Sequence, residues 1–380
     1  MHLSNDDSAA RIAAWLLRRT TSGAVRRVAP VGAAIGTDTG SVRDGNEDRA
    51  AIARSVDFNG NPYILAVLAD GIGGLRSGAE CAALALGAFI SAVSQVAQKR
   101  SRQPEDWLRQ AAARANAAVY EAYSGGGGCT LVALLFAKGF RPCWLSVGDS
   151  RVYQYAGGAL KQLSKDDTLD GQLGKVAGGE RRSELLQFVG IGADMEPHIA
   201  CIDWDVFGQD GALFLTSDGV HFIEEAYLEK IIYFSADIGI SVRRLIDLAK
   251  MLGGPDNASA VALRMDALTA ELDGGAAPPD DSIEIWDAFN EIQLIWPTLG
   301  RNRVGEVREP ARIEPGGRLG FESSPHLAQQ DVAEREDEKG VSPSENKRTR
   351  TPRSRRRKIV KSDLSLNEDE PQLGIEFKKK

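Results

Sequence analysis

Histidine and cysteine are scarce, with four of each among 380 residues. Cys81, Cys129, Cys143 and Cys201 are far apart and form no Cys-x-x-Cys pair. His2, His198, His221 and His326 are just as scattered, so a zinc site built on sulfur and nitrogen has no basis. Any metal would have to sit on oxygen. The cysteines lie mostly inside apolar patterns and read as reduced core thiols of a cytosolic protein. Long apolar runs are also missing, and residues 12–17 are too short to span a bilayer and are flanked by Arg11, Arg18 and Arg19 without a cleavage site. The expectation is a cytoplasmic chain with no transmembrane segment. Positive charge is in deficit too: the net charge is -7, and many of the basic residues crowd into 347–361. The folded part is therefore more acidic than the average, which disfavours nucleic acid as its main partner.

What is present in quantity is apolar residues, 43% of the chain, enough for a sizeable core. The most informative stretch is residues 65–83, LAVLADGIGGLRSGAECAA. An unbroken apolar run is cut by Asp70, then by glycines, and an Ala-rich helical pattern follows, which predicts a buried strand, a tight turn and a helix. A carboxylate at the end of an all-apolar strand is costly to ionise unless a cation or hydrogen-bond donors compensate it. The turn does not suit a dinucleotide: a G-x-G-x-x-G pattern needs Gly where Arg76 stands, and the preceding acid would repel a pyrophosphate.

Similar turns recur. Gly148-Asp149-Ser150-Arg151, Ser217-Asp218-Gly219 and Gly254 with Asp256-Asn257 each adjoin an apolar strand, and Arg43 with Asn46-Glu47-Asp48 lies upstream. Acids repeated at strand ends, on turns that bring different strands together, are what a hard-cation site of oxygen ligands requires.

Taken in order, residues 1–29 read as an N-terminal extension with a short amphipathic helix. Strands follow at 31–37, 50–54 and 63–69, then two helices at 75–99 and 104–123, the second opened by Pro104, Glu105 and Asp106. Strands return at 130–137, 143–147 and 152–155, a polar flap-like segment fills 160–197, and strands at 198–202, 212–216 and 258–264 enclose helices at 224–234 and 241–252. Strands in runs and helices in pairs predict an α+β fold, two antiparallel sheets packed on each other with helix pairs outside, over residues 30–268. Residues 269–380 read as a largely disordered tail. Its exceptions are a docking helix at 283–296, with Ile285, Phe289, Ile292 and Trp296 on one face, and the basic run at 347–361, suited to an acidic protein, nucleic acid or membrane surface.

The ordered set of motifs resembles the bacterial form of the type 2C metal-dependent serine/threonine protein phosphatases. The resemblance implies a four-layer α-β-β-α sandwich and hydrolysis of phosphoserine and phosphothreonine in proteins by a water activated between two Mn²⁺ or Mg²⁺ ions. It implies that Asp70 bridges the two ions, that the Gly71 carbonyl, Asp218 and Asp256 serve one, and that Glu47 and Asp48 serve the other directly or through water. Arg43 is similar to the family's clamp on the substrate phosphate. Asp149 is similar to the acid of a third, weaker metal position; its own surroundings equally suit a turn cap paired with Arg151. A cognate serine/threonine kinase or its substrates would be the partners. Two positions depart from the common pattern: Ile72 stands where many eukaryotic members carry a His proposed as proton donor, and Asp167 stands where the family usually shows a His. The competing function is a non-catalytic regulator of the same fold that binds phosphoproteins or a kinase, which loss of a metal acid would favour; every acid is present.

Overall fold

In the computed structural model the described residues are 5–72, 77–99, 103–173, 184–208, 210–274 and 282–295. The chain divides into two units, 1–305 and 306–380, and every described residue belongs to the first. Strand β1 (Gly23–Val28), following helix α1 (Asn5–Leu16), pairs with β2 (Ala33–Asp38). Strands β3 (Arg49–Val56) and β4 (Pro62–Ala69) precede the long helices α2 (Gly78–Ala97) and α3 (Pro104–Tyr123). Next come β5 (Leu131–Ala137), β6 (Cys143–Val147), β7 (Arg151–Ala156), β8 (Ala159–Gln162), the one-turn α4 (Leu169–Leu173) and β9 (His198–Cys201). The series ends with β10 (Ala212–Thr216), α5 (Asp218–His221), α6 (Glu225–Tyr233), α7 (Ile238–Met251), β11 (Ala258–Arg264), α8 (Met265–Gly274), β12 (Ser282–Trp286) and β13 (Glu291–Ile295).

Two antiparallel sheets result, one of six strands in the order β1-β2-β11-β10-β7-β8 and one of seven in the order β13-β12-β3-β4-β5-β6-β9. The residues that fill the space between them include Ile35, Ile52, Ile64, Val132, Leu213 and Val261. The opposite faces carry the helices: α1, α2 and α3 cover the seven-stranded sheet, and α6 and α7 cover the other. This is the α-β-β-α sandwich expected. It explains why β5 reads LVALLFA and is buried at every position, since both of its faces are covered. Local chemistry agrees with the packing: the Asp237 carboxylate caps α7 by accepting from the Gly239 and Ile240 amides.

Several expectations need correction. Residues 1–29 are part of the domain, because Ile12 and Leu16 of α1 are buried against α2 and β1 supplies a sheet edge. A Cβ at Gly87 of α2 would stand 2.5 Å from the Ala9 carbonyl oxygen, so the small residue is what allows the two helices to touch. Helix α2 is also long and apolar enough to cross a bilayer, contrary to the sequence reading; most of it is buried between α1, α3 and the sheet, where a core helix needs that composition. Cys143 and Cys201 are not free thiols but a disulfide, since β9 brings them directly opposite each other on neighbouring strands. Cys81 and Cys129 are free and buried, as expected.

The domain also continues past residue 268. The expected docking helix is a hairpin: β12 pairs with β3 and β13 pairs with β12. Its apolar residues alternate on either side of a turn in which the Asp287 carboxylate accepts from the Phe289 and Asn290 amides. Ile283, Ile285 and Leu294 are buried in the core beneath α2, and Arg54 of β3 pairs with Glu284 (2.6 Å) and with Glu271 of α8. Trp296 and the basic run at 347–361 lie outside the described residues. Truncating Ile285 to Ala should lower stability by about 2–5 kcal/mol, the usual cost of emptying a closed core site. An unchanged urea midpoint would show that the hairpin is not part of the cooperative unit.

Candidate active site

Antiparallel pairing brings the ends of β2, β4, β6 and β10 and the beginnings of β3, β5, β7 and β11 to one mouth of the sandwich. Every acid named from the sequence lies in those connections. Glu47 and Asp48 end the loop before β3, Asp70 and Gly71 follow β4, Asp149 separates β6 from β7, Asp218 begins α5 after β10, and Asp256 precedes β11. The turn that carries Asp70 is described through Ile72 and again from Ser77, and Gly73 and Gly74 lie outside the described residues.

The acids crowd one another. Asp70 stands within hydrogen-bonding reach of both Asp48 and Asp218. Burial, reinforced by Asp48, Asp218, Asp149 and Asp256, pushes the Asp70 carboxyl well above the usual carboxylate range. Asp48 is pushed up to about 7, mainly by burial, although hydroxyls of Ser259 and Ser217 hold it down in part. Asp149 is likewise raised to about 7 by burial and by the nearby Asp218 and Asp166. Asp218 moves in the same direction, for burial and for its neighbour Asp256. One oxygen of Asp48 and one of Asp218, both Oδ1, are buried without any hydrogen-bond partner. Such an arrangement is costly for the bare protein and is relieved by positive charge placed among the acids.

A layer of small polar residues fixes these groups, and sequence reading assigned them no role. The Ser217 hydroxyl donates to Asp48 Oδ2 (2.8 Å) and accepts from the Ser259 amide (2.9 Å). The Thr130 hydroxyl accepts from the Asp70 amide (3.0 Å) and meets the Ser150 hydroxyl (2.7 Å). Asn257, quoted only as part of a motif, is the most connected: its Oδ1 accepts from the Glu47 amide (2.7 Å), and its Nδ2 donates to the Thr39 and Gly45 carbonyls (both 2.9 Å). One buried amide therefore ties the loop carrying Arg43 and Glu47 to the turn carrying Asp256. A hydroxyl or amide at the end of an otherwise apolar strand was the signal available.

The glycines act by close approach. A Cβ on Gly71 would fall within 2.7 Å of the Gly78 backbone, and one on Gly78 would strike the Glu47 carboxylate at 2.9 Å. Arg43 reaches the acids directly, with its Nη2 2.6 Å from Asp256 Oδ2. Arg151 forks onto Asp166 (2.9 and 2.7 Å), and its charge, with a hydrogen bond from Asp149's own backbone, holds the Asp149 carboxyl down in part.

Comparison with known proteins fits this geometry. The family model described as Protein phosphatase 2C matches residues 36–247, more than half of the chain. The chain belongs to the protein phosphatase 2C family. It is thereby a protein serine/threonine phosphatase. Serine/threonine phosphatase stp of Listeria monocytogenes is 27% identical over 245 residues, which are 60% of this chain and 94% of that protein. The serine/threonine protein phosphatase PstP of Mycobacterium tuberculosis is 32% identical over 290 residues, 73% of this chain but only 52% of the relative. A crystal structure of M. tuberculosis PstP superposes with a TM-score of 0.50 at 26% identity, covering 63% of this chain and 98% of that one. A second structure, the PstP catalytic domain in complex with two manganese ions, also gives 0.50, at 27% identity, covering 64% and 98%.

Within this phosphatase, the unusual Asp167 has a defined task. Its Oδ2 accepts from the Gly148 amide (3.0 Å), one residue before Asp149, and its Oδ1 meets His198 Nε2 (2.8 Å). An imidazole is thus supplied from β9 beside the acid that replaces the family's usual His.

The raised carboxyls make a prediction about stability. Asp48 and Asp149 keep their protons up to about pH 7 when folded but lose them near pH 4 when unfolded. The folded state binds more protons between those values, so stability falls as pH rises through that window. In a chelator, the melting temperature should drop by about 5 °C or more between pH 5 and pH 8, and added Mn²⁺ should remove most of the slope. A melting temperature that rises with pH in chelator would contradict the assignment of these acids as uncompensated.

Proposed function

We propose that this phosphatase hydrolyses phosphoserine and phosphothreonine esters in proteins with water as the nucleophile, using two divalent cations, Mn²⁺ or Mg²⁺, held by its strand-end acids. The observation that carries the proposal is the convergence of Asp48, Asp70 and Asp218, with two buried carboxylate oxygens left without partners. A donor set made only of oxygen suits hard cations. Asp70 would be shared between the ions. The Gly71 carbonyl, Asp218 and Asp256 would complete one shell and Glu47 and Asp48 the other, while Asp149 would serve a third ion. The manganese-bound structure of PstP supports the number two by likeness.

Cations bound there would neutralise a phosphate dianion and acidify the water that attacks it. The chain's own residues do the rest. Ser217 fixes one oxygen of Asp48 and leaves the other free to point inward. Asn257 holds the Arg43 loop in place, and Arg43, 42% exposed in its side chain and paired with Asp256, would use its planar fork to grip two phosphate oxygens. Ile72 offers no proton, so the leaving alkoxide would take its proton from solvent at the site.

Phosphoproteins are the substrates on this reading, and a cognate kinase or its targets the partners. The basic run at 347–361 would draw an acidic protein, nucleic acid or membrane surface. The proposed compartment is the cytoplasm; the Cys143–Cys201 bond, a type of pairing more common in oxidising compartments, is the observation that pulls the other way.

With Mn²⁺ present, the purified protein should release phosphate from p-nitrophenyl phosphate and from a phosphothreonine peptide. Asp70→Ala should reduce turnover by about 100-fold or more, as removal of a shared charge-organising ligand does. Full turnover in Asp70→Ala, or in a chelator, would overturn the proposal.

A further inference from the structure

Asp167 is buried, and a buried carboxylate persists only where donors surround it. Two are supplied, the Gly148 amide to Oδ2 and His198 Nε2 to Oδ1. The Asp167 backbone adds two more links: its amide donates to the Gly148 carbonyl (3.0 Å), and its carbonyl accepts from the Leu186 amide (2.8 Å). One residue thus engages both backbone groups of Gly148. The other side of Gly148 is closed as well. It has φ +95°, and a Cβ there would stand 2.8 Å from Cγ2 of Thr130, whose hydroxyl accepts from the Asp70 amide. The preceding residue, Asp166, takes Arg151. Two consecutive acids therefore grip the turn on both sides of Asp149, Asp167 before it and Asp166 after it. His198 begins β9, the edge strand of the seven-stranded sheet, opposite Ser146 of β6. The far end of β9 is bonded to β6 through Cys143 and Cys201, so the imidazole comes from an anchored strand rather than from a loop.

We propose that His198 is a positioning residue: through Asp167 and Gly148 it fixes the Asp149 carboxylate and so sets the affinity of the third divalent cation. The inference rests on the reading above in which Asp149 serves that ion. Without His198, Asp167 Oδ1 is left buried with its donor gone, which is costly enough to turn the carboxylate toward water. In turning, it drops the Gly148 amide, and the turn that carries Asp149 loses its hold on one side. Glu47 and Asp48 are fixed from elsewhere, by Asn257 and by Ser217. The effect is therefore confined to the ion that Asp149 serves. Outer partners of this kind carry about 10- to 100-fold in metal affinity.

The test compares the full chain with His198→Ala, which removes the donor, and His198→Gln, which keeps an N–H donor at similar reach. In His198→Ala the Mn²⁺ concentration for half-maximal phosphate release from p-nitrophenyl phosphate should rise by about 10-fold or more, and the deficit should shrink as Mn²⁺ is raised. Bound Mn²⁺ counted by electron paramagnetic resonance should show the weakest ion weakened by the same factor and the others retained. In a chelator, amide exchange at Gly148 should speed up in His198→Ala, while the Glu47 amide, held by Asn257, keeps its protection. His198→Gln should restore all three readouts toward those of the unmodified chain. A merely structural role would lower the melting temperature and leave the Mn²⁺ requirement where it is. An unchanged Mn²⁺ requirement and ion count in His198→Ala, a loss equally deep in His198→Gln, or unaltered exchange at Gly148 overturns the proposal. Absence of Mn²⁺-dependent hydrolysis by the unmodified chain would overturn the phosphatase reading instead, and the ion count and the exchange rates would still decide the role of His198.

Discussion

Asp48, Asp70 and Asp218 meet at the mouth of a sandwich whose interior is otherwise apolar, and Arg43, a cation within reach, is engaged by Asp256. Removing a carboxylate from water costs several kcal/mol even after relaxation, and like charges side by side add to that. The fold tolerates the group because two hydrogen-bonded sheets hold it from both sides, with each acid on a connection between strands that are themselves buried. An arrangement costly to the bare chain is the one that places the strongest demand for bound cations, so folding and catalysis pull on the same residues.

The supporting layer shows how that demand is kept local. Ser217, Ser259 and Thr37 are buried among apolar strands: the Thr37 and Ser259 hydroxyls meet, the Ser259 amide donates to the Ser217 hydroxyl, and that hydroxyl donates to Asp48. Asn257 ties two loops that are more than 200 residues apart in sequence. Replacing such groups with apolar ones of the same size would leave the sandwich intact but free the acids to turn toward solvent. Position, rather than identity alone, makes them part of the site.

Much of this was legible in the chain. β6, β10, β11 and α3 have the bounds that apolar pattern and the Pro104 start suggest, because their neighbours cover them as the pattern requires. The acids were legible for a related reason: a carboxylate that ends an apolar strand has few other uses. What was not legible depended on distant pairing. The 283–296 stretch has apolar residues at spacings that fit a helix and a hairpin equally well, and the choice is made by β3, over 200 residues earlier, which offers an open edge. The Cys143–Cys201 bond depends on the register of β6 and β9, which no local pattern encodes. Asp167 was seen as a departure, but its partner His198 lies on another strand.

The central claim is that cations replace protons on these acids. Calorimetry tests it most directly: Mn²⁺ titrated into metal-free protein near pH 6.5, in two buffers of different ionisation enthalpy, reads ion stoichiometry and proton exchange together. Because Asp48 and Asp149 are raised to about 7, binding should release protons, seen as a buffer-dependent heat, with at least two ions taken up. Binding without proton release, or no binding, would contradict the account.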